Sequence, residues 1–184
     1  MDMDIRHVTQ KDYRVSQWSG GTTTEVFIWP EGASYAQRAF SLRISSATVE
    51  LEESDFTALP GVMRYIVPLK GGFTLTHPGE DPVVMAPLDN PYRFSGEIAT
   101  HCVGRATDFN LMLKGVEGVM EICREQIPVL PGLTCLYAPE ACCITLDAQR
   151  FELDKGEGLV IFSDRETTAS ADKRVIRCFG YVKF

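Results

Sequence analysis

Residues 153–162 read Leu153-Asp154-Lys155-Gly156-Glu157-Gly158-Leu159-Val160-Ile161-Phe162. Two glycines flank a glutamate, and an unbroken apolar run follows. Glycine takes positive φ without a Cβ penalty, so Gly156 and Gly158 predict a tight turn. The run from Leu159 to Phe162 is too short for a helix. Its length and its branched residues suit a buried strand. The segment therefore reads as strand, glycine turn, strand.

The same pattern runs outward from it. Phe40, Leu42 and Ile44 alternate with Ser41, Arg43 and Ser45, which gives a strand one apolar and one polar face. Thr23, Glu25, Phe27 and Trp29 alternate with Thr24, Val26 and Ile28. Further strand-like runs occupy 64–69, 73–76, 92–94, 109–113, 120–124, 134–137, 141–146 and 175–182. Turn signals separate them, among them Leu59-Pro60-Gly61, Lys70-Gly71-Gly72 and Pro131-Gly132. No window carries a long amphipathic helix. Many short strands with regular turns predict an all-β sandwich or barrel.

The chain also repeats itself. Leu59-Pro60-Gly61 recurs as Leu130-Pro131-Gly132 at an offset of 71, which also carries Thr74-Leu75 onto Thr145-Leu146. Phe94-Ser95 falls on Phe162-Ser163 at an offset of 68. The shared order points to internal duplication. The stretch 153–162 resembles the second motif of cupin barrels. Together these predict an all-β bicupin, two related cupin-like jelly-roll halves packed as one unit over 1–184. The halves are expected at 1–115 and 116–184, neither able to fold alone.

Composition narrows the function. The net charge of −7 and pI near 5.0 argue against a nucleic-acid partner or an anionic membrane surface. The first ten residues lack the apolar core of a signal peptide, and no run of 18 apolar residues exists, so a cytoplasmic location is expected. The six cysteines form no CxxC pair and read as small buried hydrophobes in a reducing compartment. A homodimer is compatible with this reading.

A metal-binding cupin needs two histidines one residue apart, an acid and a later histidine. The chain has only His7, His77 and His101, far apart in sequence, so no metal and no other cofactor is expected. Acid–base chemistry without metal would fall to His101 and Asp108, with Tyr65 or Tyr92 as acid. A stronger signal is a set of polar residues on otherwise apolar strands: Thr23, Glu25, Arg43, Ser45, Arg64, Asp108 and Asn110. Arginine binds a carboxylate through two parallel hydrogen bonds, so this set suits a small acidic ligand. The same residues would also suit the solvated face of a sheet.

These residues carry a resemblance. Trp18 followed by Gly20-Gly21-Thr22-Thr23-Thr24-Glu25, then Phe40 to Ala47, Phe56 to Arg64, Phe94-Ser95-Gly96-Glu97 and Asp108 to Met112 is similar to the HutD/Ves family. The markers run in family order from about residue 15 to 115. The resemblance implies a bicupin with a pocket, and an association with histidine utilisation or with cold and general stress. Within it, Arg43 and Arg64 would hold an anion, Thr23, Ser45 and Asn110 would hydrogen-bond it, Glu25 and Asp108 would orient the arginines, and Trp18 would form an apolar wall. The chain departs from the family pattern in one loop. Glu25 follows Trp18 by seven residues, two fewer than usual, and the family Asn is missing. Two other readings stay open: a metal-independent isomerase, lyase or hydrolase, and a protein-interaction scaffold.

Overall fold

The computed structural model describes residues 3–184. Among them the chain forms nineteen β-strands and no helix. The first five are β1 (Asp4–Val8), β2 (Arg14–Trp18), β3 (Gly21–Trp29), β4 (Leu42–Val49) and β5 (Glu53–Asp55). Next come β6 (Val62–Gly71), β7 (Phe73–Thr76), β8 (Val83–Met85), β9 (Tyr92–Ser95), β10 (His101–Val103) and β11 (Ala106–Lys114). The rest are β12 (Gly118–Cys123), β13 (Ile127–Val129), β14 (Gly132–Tyr137), β15 (Cys142–Leu146), β16 (Gln149–Leu153), β17 (Gly158–Ser163), β18 (Thr167–Ala171) and β19 (Val175–Gly180).

The strands group into two units. Arg14–Gly115 forms one, with a six-stranded sheet in the order β2-β3-β4-β11-β6-β9 and a four-stranded sheet in the order β5-β10-β7-β8. Met1–Tyr13 and Val116–Phe184 form the other, with a five-stranded sheet β1-β17-β14-β19-β12 and a four-stranded sheet β13-β18-β15-β16. The duplication is written in these orders. Adding eight to each strand number turns β5-β10-β7-β8 into β13-β18-β15-β16, and β4-β11-β6-β9 into β12-β19-β14-β17. Leu-Pro-Gly precedes or enters β6 and β14, Thr-Leu lies in β7 and β15, and Phe-Ser closes β9 and β17. The fold is an all-β bicupin.

What differs between the copies is at the sheet edges. β3 and β2 extend the first unit beyond β4, whereas β1 extends the second beyond β17. Along the chain the units meet between Gly115 and Val116, and residues 3–13 group with the second unit. The reason is the edge of β17. Every residue of that strand is buried, and its outer row of backbone groups needs partners. β1 supplies them, in register from Asp4 opposite Phe162 to Val8 opposite Gly158. Tyr13 adds a hydrogen bond from its hydroxyl to Gly156 O at 2.8 Å.

The glycine turn divides its labour differently from the sequence reading. Gly156 has φ 88°, as a tight turn requires. Gly158 does not take positive φ. It opens β17 between Tyr137 and Val8, where a Cβ would stand 3.4 Å from both Leu136 O and Val8 Cγ2. Its lack of a side chain therefore serves close strand packing.

The cores follow the alternation. In the second unit Ile127, Leu136, Ile144, Leu159 and Ile161, drawn from both sheets, are fully buried in one cluster. Each contributes about 1.5–3 kcal/mol relative to exposure. In the first unit, apolar side chains gather around Ile66, Phe73, Leu75 and Phe94, and separately around Phe40, Leu59, Val62 and Met112. All six cysteines are unpaired and all but Cys123 are buried; burial pushes the Cys135 thiol up to about 12. Among the described residues no helix is long and apolar enough to cross a membrane.

Candidate functional site

Arg43 lies on β4, between Leu42 and Ile44, both fully buried. Its own face is buried too, and the strand register explains what it meets. Residues directly opposite on neighbouring strands share a face. Arg43 pairs with Met112 on β11, which pairs with Arg64 on β6, which pairs with Phe94 on β9. The next row holds Glu25, Ser45, Asn110 and Ile66, and the row after it Thr23, Ala47 and Asp108. A two-residue step along each strand thus brings separate polar residues into one field.

β3 needs a correction to make this work. Its register shifts between Glu25 and Phe27, so simple alternation from Thr23 to Trp29 does not hold. Beyond the bulge it is Ile28 that pairs with Arg43, while Phe27 and Trp29 pair with Ile44 and Leu42. A bulge adds one residue and exchanges the faces beyond it.

Trp18, Thr23, Arg43, Ser45, Arg64, Asp108 and Asn110 line one cavity of about 510 Å³. Trp18 is half-exposed at its edge, its ring folded over Gly20, where any Cβ would collide with the indole. Glu25 is not in the lining. It stands behind Arg43, its carboxylate accepting from Arg43 Nε at 2.7 Å. Arg43 Nη1 donates to Ser45 Oγ at 3.2 Å, and its guanidinium lies 4.1 Å from the centre of the Tyr35 ring. Arg43 is thus held through Nε and Nη1 by its neighbours.

Arg64 is not. It is 7% exposed, its Nε has no partner, and its Nη2 reaches Asn110 Oδ1 only at 3.4 Å. Phe56 and Phe94 hold its guanidinium by their rings, 4.7 and 5.2 Å away. Its counter-charge is Asp108, itself 4% exposed and hydrogen-bonded by the Asn110 side-chain amide. Desolvation dominates for both partners. It lowers the Arg64 value, and it pushes the Asp108 carboxyl up to about 7 against the pull of Arg64, Ala47 N–H and Asn110.

The other candidates lie elsewhere. His101, on β10, is outside the cavity lining; its Nδ1 bonds Asp55 Oδ1 at 2.8 Å, and that bond raises its pKa. Asp55 does line the cavity. The acid–base candidates His101 and Asp108 are thus not brought together in the lining. Tyr65 and Tyr92 do not line it either, and Tyr92 stacks on His77 with ring centres 5.7 Å apart. His77 is buried beside Tyr92 and Phe94 at the start of the turn that follows it, where its carbonyl accepts from Glu80 N–H at 3.2 Å. Among the described residues, no group of three or more His, Cys, Asp or Glu is placed to hold a metal.

Tyr35 and Phe56 are among the lining residues that the polar pattern missed. Tyr35 sits in the connection between β3 and β4, where no periodicity marks it. Phe56 was visible only as a family marker beside Thr57. The second unit carries a smaller polar set in the equivalent rows, in which Thr134 and Arg177 are fully buried and Thr134 Oγ1 and Arg177 Nη2 have no partner. The equivalent rows across β12, β19 and β14 read Val119, Phe179, Thr134 and Glu121, Arg177, Leu136. Arg177 there bonds Pro128 O and Glu121, both at 2.7 Å.

Comparison with known proteins agrees with this architecture. A family profile described as HutD matches residues 10–179. The structure of HutD from Pseudomonas fluorescens SBW25, solved in a formate condition, is 20% identical, with a TM-score of 0.82 over 98% of this chain and 100% of that one. A conserved protein of unknown function from Pseudomonas aeruginosa PAO1 is 22% identical, with a TM-score of 0.79 over 96% and 97%. The Ylba protein from E. coli is 9% identical, with a TM-score of 0.66 over 98% and 93%. A comparison with curated proteins gave no match.

Proposed function

The chain belongs to the HutD family, and from that premise we propose that its Arg14–Gly115 unit binds a small carboxylate-bearing metabolite without a metal. The observation that carries the proposal is Arg64: a buried guanidinium at the wall of a cavity of about 510 Å³, with a donor that no protein group accepts. Leaving such a donor unmade costs about 1–3 kcal/mol, and an incoming carboxylate would recover it. The roles divide unequally. Arg64 is the anion receptor. Arg43, already bonded to Glu25 and Ser45, presents its remaining face and keeps the wall rigid. Asn110 and Thr23 offer polar contacts to the rest of the ligand, and Trp18 covers an apolar part. A histidine-derived acid such as a formylated or formimino glutamate fits the family association, and a cytoplasmic binder of it would sense or restrain pathway flux.

The test is a thermal-shift screen of small acids. At a concentration one hundred times the dissociation constant, a ligand of the folded state stabilises by about 2.7 kcal/mol. For a chain of this length that raises Tm by roughly 5–10 °C. A dicarboxylate or N-acylated glutamate is expected to do so, and its neutral amide is not. Arg64→Ala is expected to abolish the shift, and Arg64→Lys to restore only part of it, because lysine cannot make the bidentate contact. If no acid shifts the wild type, the reading is wrong.

A second reading draws on Asp108. A cavity carboxyl brought to about 7 is suited to general acid–base work near neutral pH. That favours a metal-independent isomerase, lyase or hydrolase over an interaction scaffold, and a bell-shaped pH–rate profile for any turnover would support it. The open cavity beside Arg43 sets the scaffold reading third.

A further inference from the structure

We propose that the cavity takes up its anion together with one proton, and that Asp108 is the group that accepts it. This rests on the anion-binding reading above and adds its proton stoichiometry. The argument begins with charge balance. The buried ionisable groups of the cavity form two opposite pairs. Arg43 is matched by Glu25 at 2.7 Å. Arg64 is matched by Asp108, each acting on the other's charge and both more than nine-tenths buried. Tyr35 and Cys102 also face these charges, and the Cys102 thiol, pushed up to about 11 by burial, is neutral near pH 7. Asp55 at the rim is 86% exposed and engaged by His101. With all four buried groups ionised, the cavity carries no surplus charge to hold an anion.

A carboxylate that reaches Arg64 therefore meets a second anion already there. Two carboxylates near one guanidinium repel each other, and that repulsion raises the pKa of one of them. Asp108 has little freedom to turn away. It accepts from Asn110 and from the Ala47 backbone N–H, and lies mid-strand on β11. It can take a proton, since burial has already brought its carboxyl to about 7 and an approaching anion moves it higher. The proton comes from solvent and forms one O–H bond on Asp108. Once neutral, that group becomes a donor to the ligand, and Arg64 faces a single anion.

Calorimetry tests this on the wild type with acetate and glutarate as probes, both fully ionised across the range used. Each is titrated at pH 8 in phosphate and in Tris, whose ionisation heats differ. The expected result is uptake of about one proton per anion, with affinity falling about tenfold per pH unit above neutrality. Asp108→Asn is expected to bind with no proton uptake and no pH slope, about tenfold tighter than wild type at pH 8. Binding with no proton exchanged and a flat affinity from about pH 6.5 to 8.5 would overturn the coupling and leave the anion site standing. Proton uptake that persists in Asp108→Asn would overturn the assignment to Asp108. No binding of either probe at any pH would overturn the anion reading itself, and this proposal with it. Should the variant fail to fold, the wild-type buffer comparison decides alone.

Discussion

Replacing Arg64 by methionine is expected to separate binding from stability. Arg64 is 7% exposed and its Nε is unpartnered. Removing a buried donor without an acceptor gains about 1–3 kcal/mol. The substitution forfeits stacking on Phe56 and Phe94, at 4.7 and 5.2 Å, worth about 0.5–2 kcal/mol. A thioether against the same rings returns about 0.3–1.5 kcal/mol. Asp108 loses its counter-charge, but at pH 6 a carboxyl at about 7 is mostly protonated and needs none. Combined, these run at pH 6 from about 0.7 kcal/mol of loss to about 4 kcal/mol of gain, centred on about 1.5 kcal/mol of stabilisation. Urea unfolding should therefore give Arg64→Met a midpoint equal to or above wild type, while small acids no longer raise its Tm. Arg43→Met should go the other way. It strands Glu25, whose side chain is 13% exposed, and breaking one side of a buried pair costs about 3–5 kcal/mol. Opposite signs for two arginines in one cavity are the signature. If Arg64→Met loses as much stability as Arg43→Met, Arg64 is a satisfied structural residue and the anion argument fails.

Other outcomes follow from the same geometry. The Asp108 value is raised from 3.8 unfolded to about 7 folded, so the folded state holds more protons between those values. Stability should therefore decline as pH rises from about 4 to about 7 and level off above it, and urea midpoints of Asp108→Asn should lack that decline. His77→Leu should change stability by less than about 1 kcal/mol and leave acid binding intact, since His77 Nε2 is already unpartnered and Thr100 keeps its bond to Ile98 O. Gly21→Ala should destabilise by about 1–3 kcal/mol or more, because φ is 153° and a Cβ would stand 1.9 Å from Thr48 O; a wild-type melting curve would refute the strand register there. Deleting residues 1–13 uncovers the buried strand β17, and light scattering should detect association that the full chain does not show.

Local pattern was enough for most of the fold. Strands from β3 to β19 with strong alternation or apolar runs were legible, because a period of two needs only neighbouring residues. The repeat was legible because Leu-Pro-Gly, Thr-Leu and Phe-Ser keep their order in both copies. The strands that escaped, such as β1, β2, β5 and β10, are edge strands or three-residue pieces without a contiguous apolar face. They exist because a neighbour offers hydrogen bonds, as β17 does to β1, and that neighbour is 150 residues away in sequence.

The site divides along the same line. The sequence by itself determined which polar residues interrupt apolar strands, and Arg43, Ser45, Arg64, Asp108 and Asn110 could be named from it. It could not tell a lumen from a solvated face, since the polar side of β4 has the same residues in either case until it is known that both of its sides are buried. Only the tertiary structure decided that Arg43 is satisfied by Glu25 while Arg64 is left with a free donor. It also decided that Tyr35 and Phe56 frame the arginines and that His101 is directed to Asp55. Those outcomes depend on register, on one bulge after Glu25 and on burial. Each is a property of strands far apart in the chain, and the free energy of a buried charge is set by what surrounds it rather than by its neighbours in sequence.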